Sequence, residues 1–185
     1  SGNKSEGVVV TLTVADTTQP VLSGVSNVAL SAADKNGAPS AGVLAAVALD
    51  SVDGEVVVAY SVGGADVGDN FPLGETTVTV KAADSAGNMA EGTLVVTVSD
   101  TTSPVIVSAA GVALEADGEL GYGGSTASII AAIGVSDNVD DAPAVTLGAS
   151  VPEVLPFGVT QVAVVVTDAA GNATEGTVPV TVADT

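Results

Sequence analysis

Residues 93–98 follow a period of two: the apolar Leu94, Val96 and Val98 fall on one face, and Thr93, Val95 and Thr97 on the other. That period of two marks a half-buried β-strand. The apolar set returns 84 residues later as Val178, Val180 and Val182. The preceding segments alternate too, with Val78, Val80 and Ala82 in one copy and Val162, Val164 and Val166 in the other. Asp84-Ser85-Ala86-Gly87-Asn88 and Asp168-Ala169-Ala170-Gly171-Asn172 join the two strands of each copy. Their Gly-Asn pairs can take the positive φ of a tight connection, so each copy is predicted to end in a hairpin. Pro179 lies on the outward face of the final strand and has no N–H to donate, which predicts that this strand is at a sheet edge.

Further strands are predicted at residues 21–25, 28–32, 43–49 and 56–60, separated by glycine, serine, asparagine and aspartate. Residues 41–48 and 127–132 are rich in alanine, but both are short and enclosed by strand signals, so no helix is expected. The phrase Asp-Thr-Thr-x-Pro opens at Asp16 and again at Asp100, and Asp184-Thr185 repeats its first two letters, a period of 84 residues from 16 to 100 and from 100 to 184. A chain in one repeating frame is a tandem array. Six or seven short strands per period predict an all-β chain of two tandem immunoglobulin-like β-sandwich domains, at residues 17–100 and 101–185. Residues 1–16 match the end of a period: Gly2-Asn3 answers Gly87-Asn88, and Val10, Leu12 and Val14 stand 84 before Leu94, Val96 and Val98. They are predicted to be the final strand of a preceding repeat, and the sequence is expected to be an excerpt of a longer protein.

Composition narrows the partners. Three basic residues, all lysine, face 22 acidic ones for a formal charge of −19. Such a chain cannot displace the counterions of nucleic acid, and an anionic membrane surface repels it. An apolar content of 46% separates it from acidic disordered chains. No apolar run reaches the length that spans a bilayer, and no signal peptide is visible at Ser1. Absence of cysteine removes disulfides and thiolate metal sites. With two phenylalanines, two tyrosines and no tryptophan, the core must rest on aliphatic side chains.

The segment Asn70-Phe71-Pro72-Leu73-Gly74-Glu75-Thr76-Thr77-Val78-Thr79-Val80, running on to Ala83-Asp84-Ser85-Ala86-Gly87-Asn88, resembles the signature of the hyalin repeat (HYR) family of immunoglobulin-like modules. Leu155-Pro156-Phe157-Gly158-Val159-Thr160-Gln161-Val162 and Thr167-Asp168-Ala169-Ala170-Gly171-Asn172 form a looser second copy. The resemblance covers nearly all of residues 16–185. Family members usually carry a cysteine pair, absent here, which places the chain nearer the cysteine-free bacterial immunoglobulin-like domains of surface adhesins. The resemblance implies an extracellular adhesion module without catalysis of its own.

Strand direction supplies the candidate site. If the first strand leaves the Asp-Thr-Thr end, the loop between the second and third core strands and the final hairpin loop return to that end. Asp16, Asp50, Asp53 and Asp84 are then gathered in the first copy, and Asp100, Asp137, Asp140 or Asp141, and Asp168 in the second. Hard oxygen ligands without histidine or thiolate suit Ca²⁺, which takes six to eight of them; backbone carbonyls, Thr17 or Thr101 hydroxyls, or water complete the shell. Asp66 and Asp69 are expected to be solvated, and Asn88 and Asn172 to form turns. Paired acids can run glycoside hydrolysis, but short loops offer no deep cleft, and neither Gly63-Gly64 nor Gly121-Tyr122-Gly123-Gly124 has the strand-to-helix setting of a phosphate loop.

Two readings of function stand on these residues. The first is a non-enzymatic extender of a cell-surface adhesin, its neighbouring repeats stiffened by interdomain calcium. The second is a subunit of an extracellular filament, joined to identical chains by donation of the strand at residues 8–14.

Overall fold

The computed structural model describes residues 7–185, and they form an all-β chain. The strands are β1 (Val21–Ser23), β2 (Val28–Ser31), β3 (Ala38–Pro39), β4 (Val47–Asp50), β5 (Gly54–Val56), β6 (Val58–Val62), β7 (Ala65–Asp66), β8 (Asn70–Phe71), β9 (Gly74–Ala83) and β10 (Met89–Ser99), then β11 (Val105–Ala109) and β12 (Val112–Glu115). A single helical turn, α1 (Ala127–Ala131), precedes β13 (Ile133–Ser136), β14 (Ala144–Leu147), β15 (Gly158–Thr167) and β16 (Ala173–Ala183). They assemble as β1-β4-β5, β2-β10-β9-β6-β7, β3-β8, β11-β13 and β12-β16-β15-β14. Among the described residues no helix is long and apolar enough to cross a membrane.

Two compact units are present. One takes residues up to Asn27 with Leu44–Val67 and Thr77–Val95; the other takes Val28–Val43, Gly68–Thr76 and Val96–Thr185. In the first, β1 and β5 flank β4 antiparallel, and β6 pairs with β9 from Val58↔Ala82 to Ser61↔Thr79. The alternating residues Val78, Val80, Ala82 and Leu94 point inward and are at most 3% exposed. In the second unit, β15 and β16 pair antiparallel through ten residues, and Val162, Val164, Val178, Val180 and Val182 close on Ile129, Ile133 and Leu155. Each fully buried aliphatic side chain contributes about 1.5–3 kcal/mol relative to exposure, so valine alternation replaces the missing aromatic core.

Three expectations change. The alanine-rich stretch at 127–132 does contain a helical turn: Ile129 and Ile130 donate their N–H groups to the Thr126 carbonyl, and Ile129 is wholly buried. Burial of one side chain compensates for the weak helical signal of so short a stretch. The strand expected at 43–49 is confined to β4, the residues before it forming a turn and coil. Finally, β16, which carries Pro179, is an inner strand, between β12 and β15. The proline is tolerated because parallel pairing to β12 begins only at Val112↔Val180, so Pro179 pairs on its β15 side alone, opposite Gln161.

Residues 7–20 take no regular secondary structure, and Val8, Val9, Val10, Leu12 and Val14 are 82–90% exposed. The part of the expected N-terminal strand at residues 1–6 lies outside the described residues.

A smaller element repeats at the same 84-residue spacing within the second unit. Ala38 pairs with Phe71 and Tyr122 bridges to Leu155, and each is preceded by a glycine at positive φ, Gly37 (+109°) and Gly121 (+126°). A Cβ on either glycine would run into the carbonyl oxygen of Phe71 or Leu155, whereas Gly42, also at positive φ (+75°), faces open space. Gly37→Ala and Gly121→Ala should each lower stability by about 2–3 kcal/mol, and Gly42→Ala by about 1 kcal/mol. Thermal melts of the three variants check this ordering, and equal losses would contradict it.

A candidate metal centre in two copies

Aspartate side chains hold the turns from which the site is built. Asp50 ends β4, and its Oδ1 accepts the N–H groups of Val52 and Asp53 at 2.7 and 3.0 Å. Asp84 opens the turn after β9: its Oδ1 accepts the Asn88 N–H and its Oδ2 the Asn88 amide, at 2.8 and 2.7 Å. Asp16 Oδ1 accepts the Thr18 N–H at 3.0 Å. These are Asx-type turns, in which a short carboxylate substitutes for a backbone acceptor. Asn88 also donates to the Asp16 carbonyl at 3.3 Å, tying the entry of the copy to its last hairpin.

The second copy repeats the set. Asp137 Oδ1 accepts Val139 and Asp140 N–H groups, both at 2.9 Å, and Asp168 accepts the N–H and side-chain amide of Asn172, both at 2.8 Å. Asp100 Oδ1 accepts the Thr102 N–H at 3.0 Å, and Asn172 donates to the Asp100 carbonyl at 3.3 Å.

The turns bring three carboxylates together twice. Asp16, Asp50 and Asp84 each offer an oxygen within 4.8 Å of the others, and so do Asp100, Asp137 and Asp168. Asp50, Asp84 and Asp168 are buried. Three buried carboxylate oxygens in the trios, Asp16 Oδ2, Asp50 Oδ2 and Asp137 Oδ2, have no hydrogen-bond partner. The ion pairs found among the described residues, Lys35 with Asp141 and Lys81 with Glu91, do not involve either trio.

Charges at this spacing repel by about 1 kcal/mol per pair in water and several times that near a protein surface. Even so, two of these groups, Asp50 and Asp168, are biased toward the ionised form. The N–H groups of Asp53 and Val52 hold the Asp50 carboxyl below the usual carboxylate range. Burial pushes Asp168 up, but the Asn172 amide and N–H with those of Gly171 and Ala170 outweigh it and bring it down. Negative charge, unpaired buried oxygens and the absence of nitrogen or sulfur donors fit a hard divalent cation.

The other expected ligands are placed differently. Asp53 accepts the N–H and hydroxyl of Ser85 at 2.6 and 2.9 Å, and Asp140 accepts the N–H groups of Ala142 and Ala169, both at 2.9 Å, so these two brace the hairpin turns. Asp141 pairs with Lys35 at the surface. The Thr101 hydroxyl bonds Ser31 Oγ at 2.6 Å. Asn88 and Asn172 form turns as expected, and also fix both oxygens of Asp84 and Asp168; the recurring Asp-x-x-x-Asn spacing was the available signal.

Residues 15–98 match the HYR domain family, and that part of the chain is an HYR-like repeat. The chain is 30% identical over 179 residues to hyalin from Strongylocentrotus purpuratus, a match covering 93% of this chain and 14% of hyalin. Among solved structures it is similar to protocadherin gamma B2 extracellular cadherin domains 3–6 (TM-score 0.40, 17% identity, 90% of this chain and 51% of that one). Similar too is the protocadherin gammaB7 EC3-6 cis-dimer (TM-score 0.39, 17% identity, 91% and 48%).

Depressed carboxyl pKa values mean that the folded chain binds fewer protons than the unfolded one between the two values. The stability they contribute is fully present above the unfolded value, near 4, and is lost as pH falls through the lower folded values. Without divalent cations the melting temperature should therefore fall from pH 5 to pH 3, and less steeply in Asp50→Asn. A melting temperature that rises over this interval would mean that repulsion within the trios dominates.

Proposed function

We propose that the chain is a non-enzymatic extracellular spacer: two immunoglobulin-like modules, residues 17–100 and 101–185, in an adhesion-related array, stiffened by Ca²⁺ at the aspartate trios. The observation that carries this reading is the recurrence, one repeat apart, of three converging carboxylates with buried oxygens left unpaired. A bound cation turns their repulsion into attraction and locks the entry segment, the loop after β4 or β13 and the final hairpin turn into one arrangement. The HYR match and the likeness to hyalin support an extracellular adhesion setting. Three side-chain carboxylates with water and carbonyls completing the shell suit affinities of roughly 10⁻⁴ to 10⁻³ M, as in extracellular calcium modules.

The exposed apolar run from Val8 to Val14 favours a second reading, in which that segment adds as a strand to an identical chain.

Calcium at a hundredfold above its Kd should stabilise the chain by about 2.7 kcal/mol per site, and a chelator should remove the gain. Asp50→Asn with Asp168→Asn should abolish the response. Chelation that changes neither melting temperature nor the radius of gyration by solution scattering contradicts the spacer reading. Polymers that form with the full chain and vanish when residues 1–14 are removed would favour the filament.

A further inference from the structure

The second trio has a neighbour that the first lacks. Asn138 follows Asp137, where the first copy has an exposed Ser51 after Asp50. Its Nδ2 donates to the carbonyls of Ala32 and Ala33 at 3.0 and 3.3 Å. Two carbonyl acceptors fix which end of the amide is nitrogen, because an oxygen there would face only other oxygens. The opposite end, Oδ1, is buried and has no hydrogen-bond partner, like Oδ2 of the adjacent Asp137. All these groups belong to the second compact unit. Leaving a buried acceptor unpaired is costly, and two on consecutive residues, with no donor to either, call for a positive charge.

We propose that Asn138 Oδ1 is a fourth side-chain ligand of the cation held by Asp100, Asp137 and Asp168, and that its amide carries the ion's hold to the Ala32–Ala33 backbone. The inference rests on the calcium reading and adds to it a difference between the two sites. A neutral amide oxygen raises the ligand count without adding charge, as asparagine does in known oxygen-donor sites. The second site therefore binds calcium more tightly than the first. Its occupancy also orders the turn after β2, where Ala33 N–H donates to the Gly37 carbonyl at 2.8 Å. The first site has no corresponding connection, since a serine at position 51 offers no amide.

The test is a Ca²⁺ titration of the full chain followed by backbone amide NMR. Ala169–Asn172 amides report on the second site, Ser85–Asn88 on the first, and Ala33 and Gly37 on the connection. In Asn138→Ser the second-site midpoint should rise about tenfold, the Ala33 and Gly37 shifts should vanish, and the first-site midpoint should stay put. Asn138→Asp keeps an oxygen ligand but removes the donor, so it should hold calcium at the second site while losing the Ala33 response; it also serves if the serine variant does not fold. An unchanged second-site midpoint in Asn138→Ser, or an Ala33 response that survives in Asn138→Asp, overturns the inference while leaving calcium binding intact. If no amide responds to calcium in the parent chain, the calcium reading fails and this inference fails with it.

Discussion

Convergence of like charges governs this chain. Twice, three carboxylates each bring an oxygen within 4.8 Å of the other two, held there by N–H donors of their own turns. The donors favour the ionised form of Asp50 and Asp168, and they occupy one oxygen of Asp16, Asp50, Asp100 and Asp137 without engaging the other. A carboxylate so oriented cannot swing into solvent without giving up its turn. Repulsion is therefore built into the local conformation, and a cation is the counter-charge that fits the oxygen-only surroundings. With a formal charge of −19 and three lysines, the chain has few cations of its own to offer.

The β framework exists to deliver those turns to one place. In the second unit β15 and β16 pair along their length, with buried valines at alternate positions, and the tight connection between them carries Asp168 and Asn172. The segment after β13 carries Asp137 to Asp141, and the Asn172 amide holds the Asp100 carbonyl beside them. Three loops remote in sequence meet because the strands that bear them are locked in register, and register on a half-buried strand is strongly specified. The same logic operates around Asp16, Asp50 and Asp84, with Asn88 in the role of Asn172.

Much of this was legible in the residues. Alternating valines over 78–82 and 94–98 and their images 84 residues on located the long strands, because period two has no other common cause. Convergence of the aspartates followed from strand direction. What could not be read was finer. Asp50 and Asp53 are equivalent on the page, yet one accepts from its own loop and faces the trio while the other reaches Ser85; hydrogen bonds across 32 residues decide between them. Pro179 pointed to an edge strand, and the missing donor is real, but the strand is an edge only over the half where β12 does not reach. The turn at Ala127–Ala131 depends on burying Ile129, a tertiary effect without a local signature. Asn138 stood out in no pattern because the first copy has serine there; only its two carbonyl partners and its orphaned oxygen single it out.

Anomalous diffraction from crystals grown in calcium tests the central claim most directly. The account predicts one ion at each trio, with oxygens of Asp16, Asp50 and Asp84, and of Asp100, Asp137 and Asp168, at about 2.3–2.6 Å. Ion-free density at both places, with the carboxylates turned apart toward water, would contradict it.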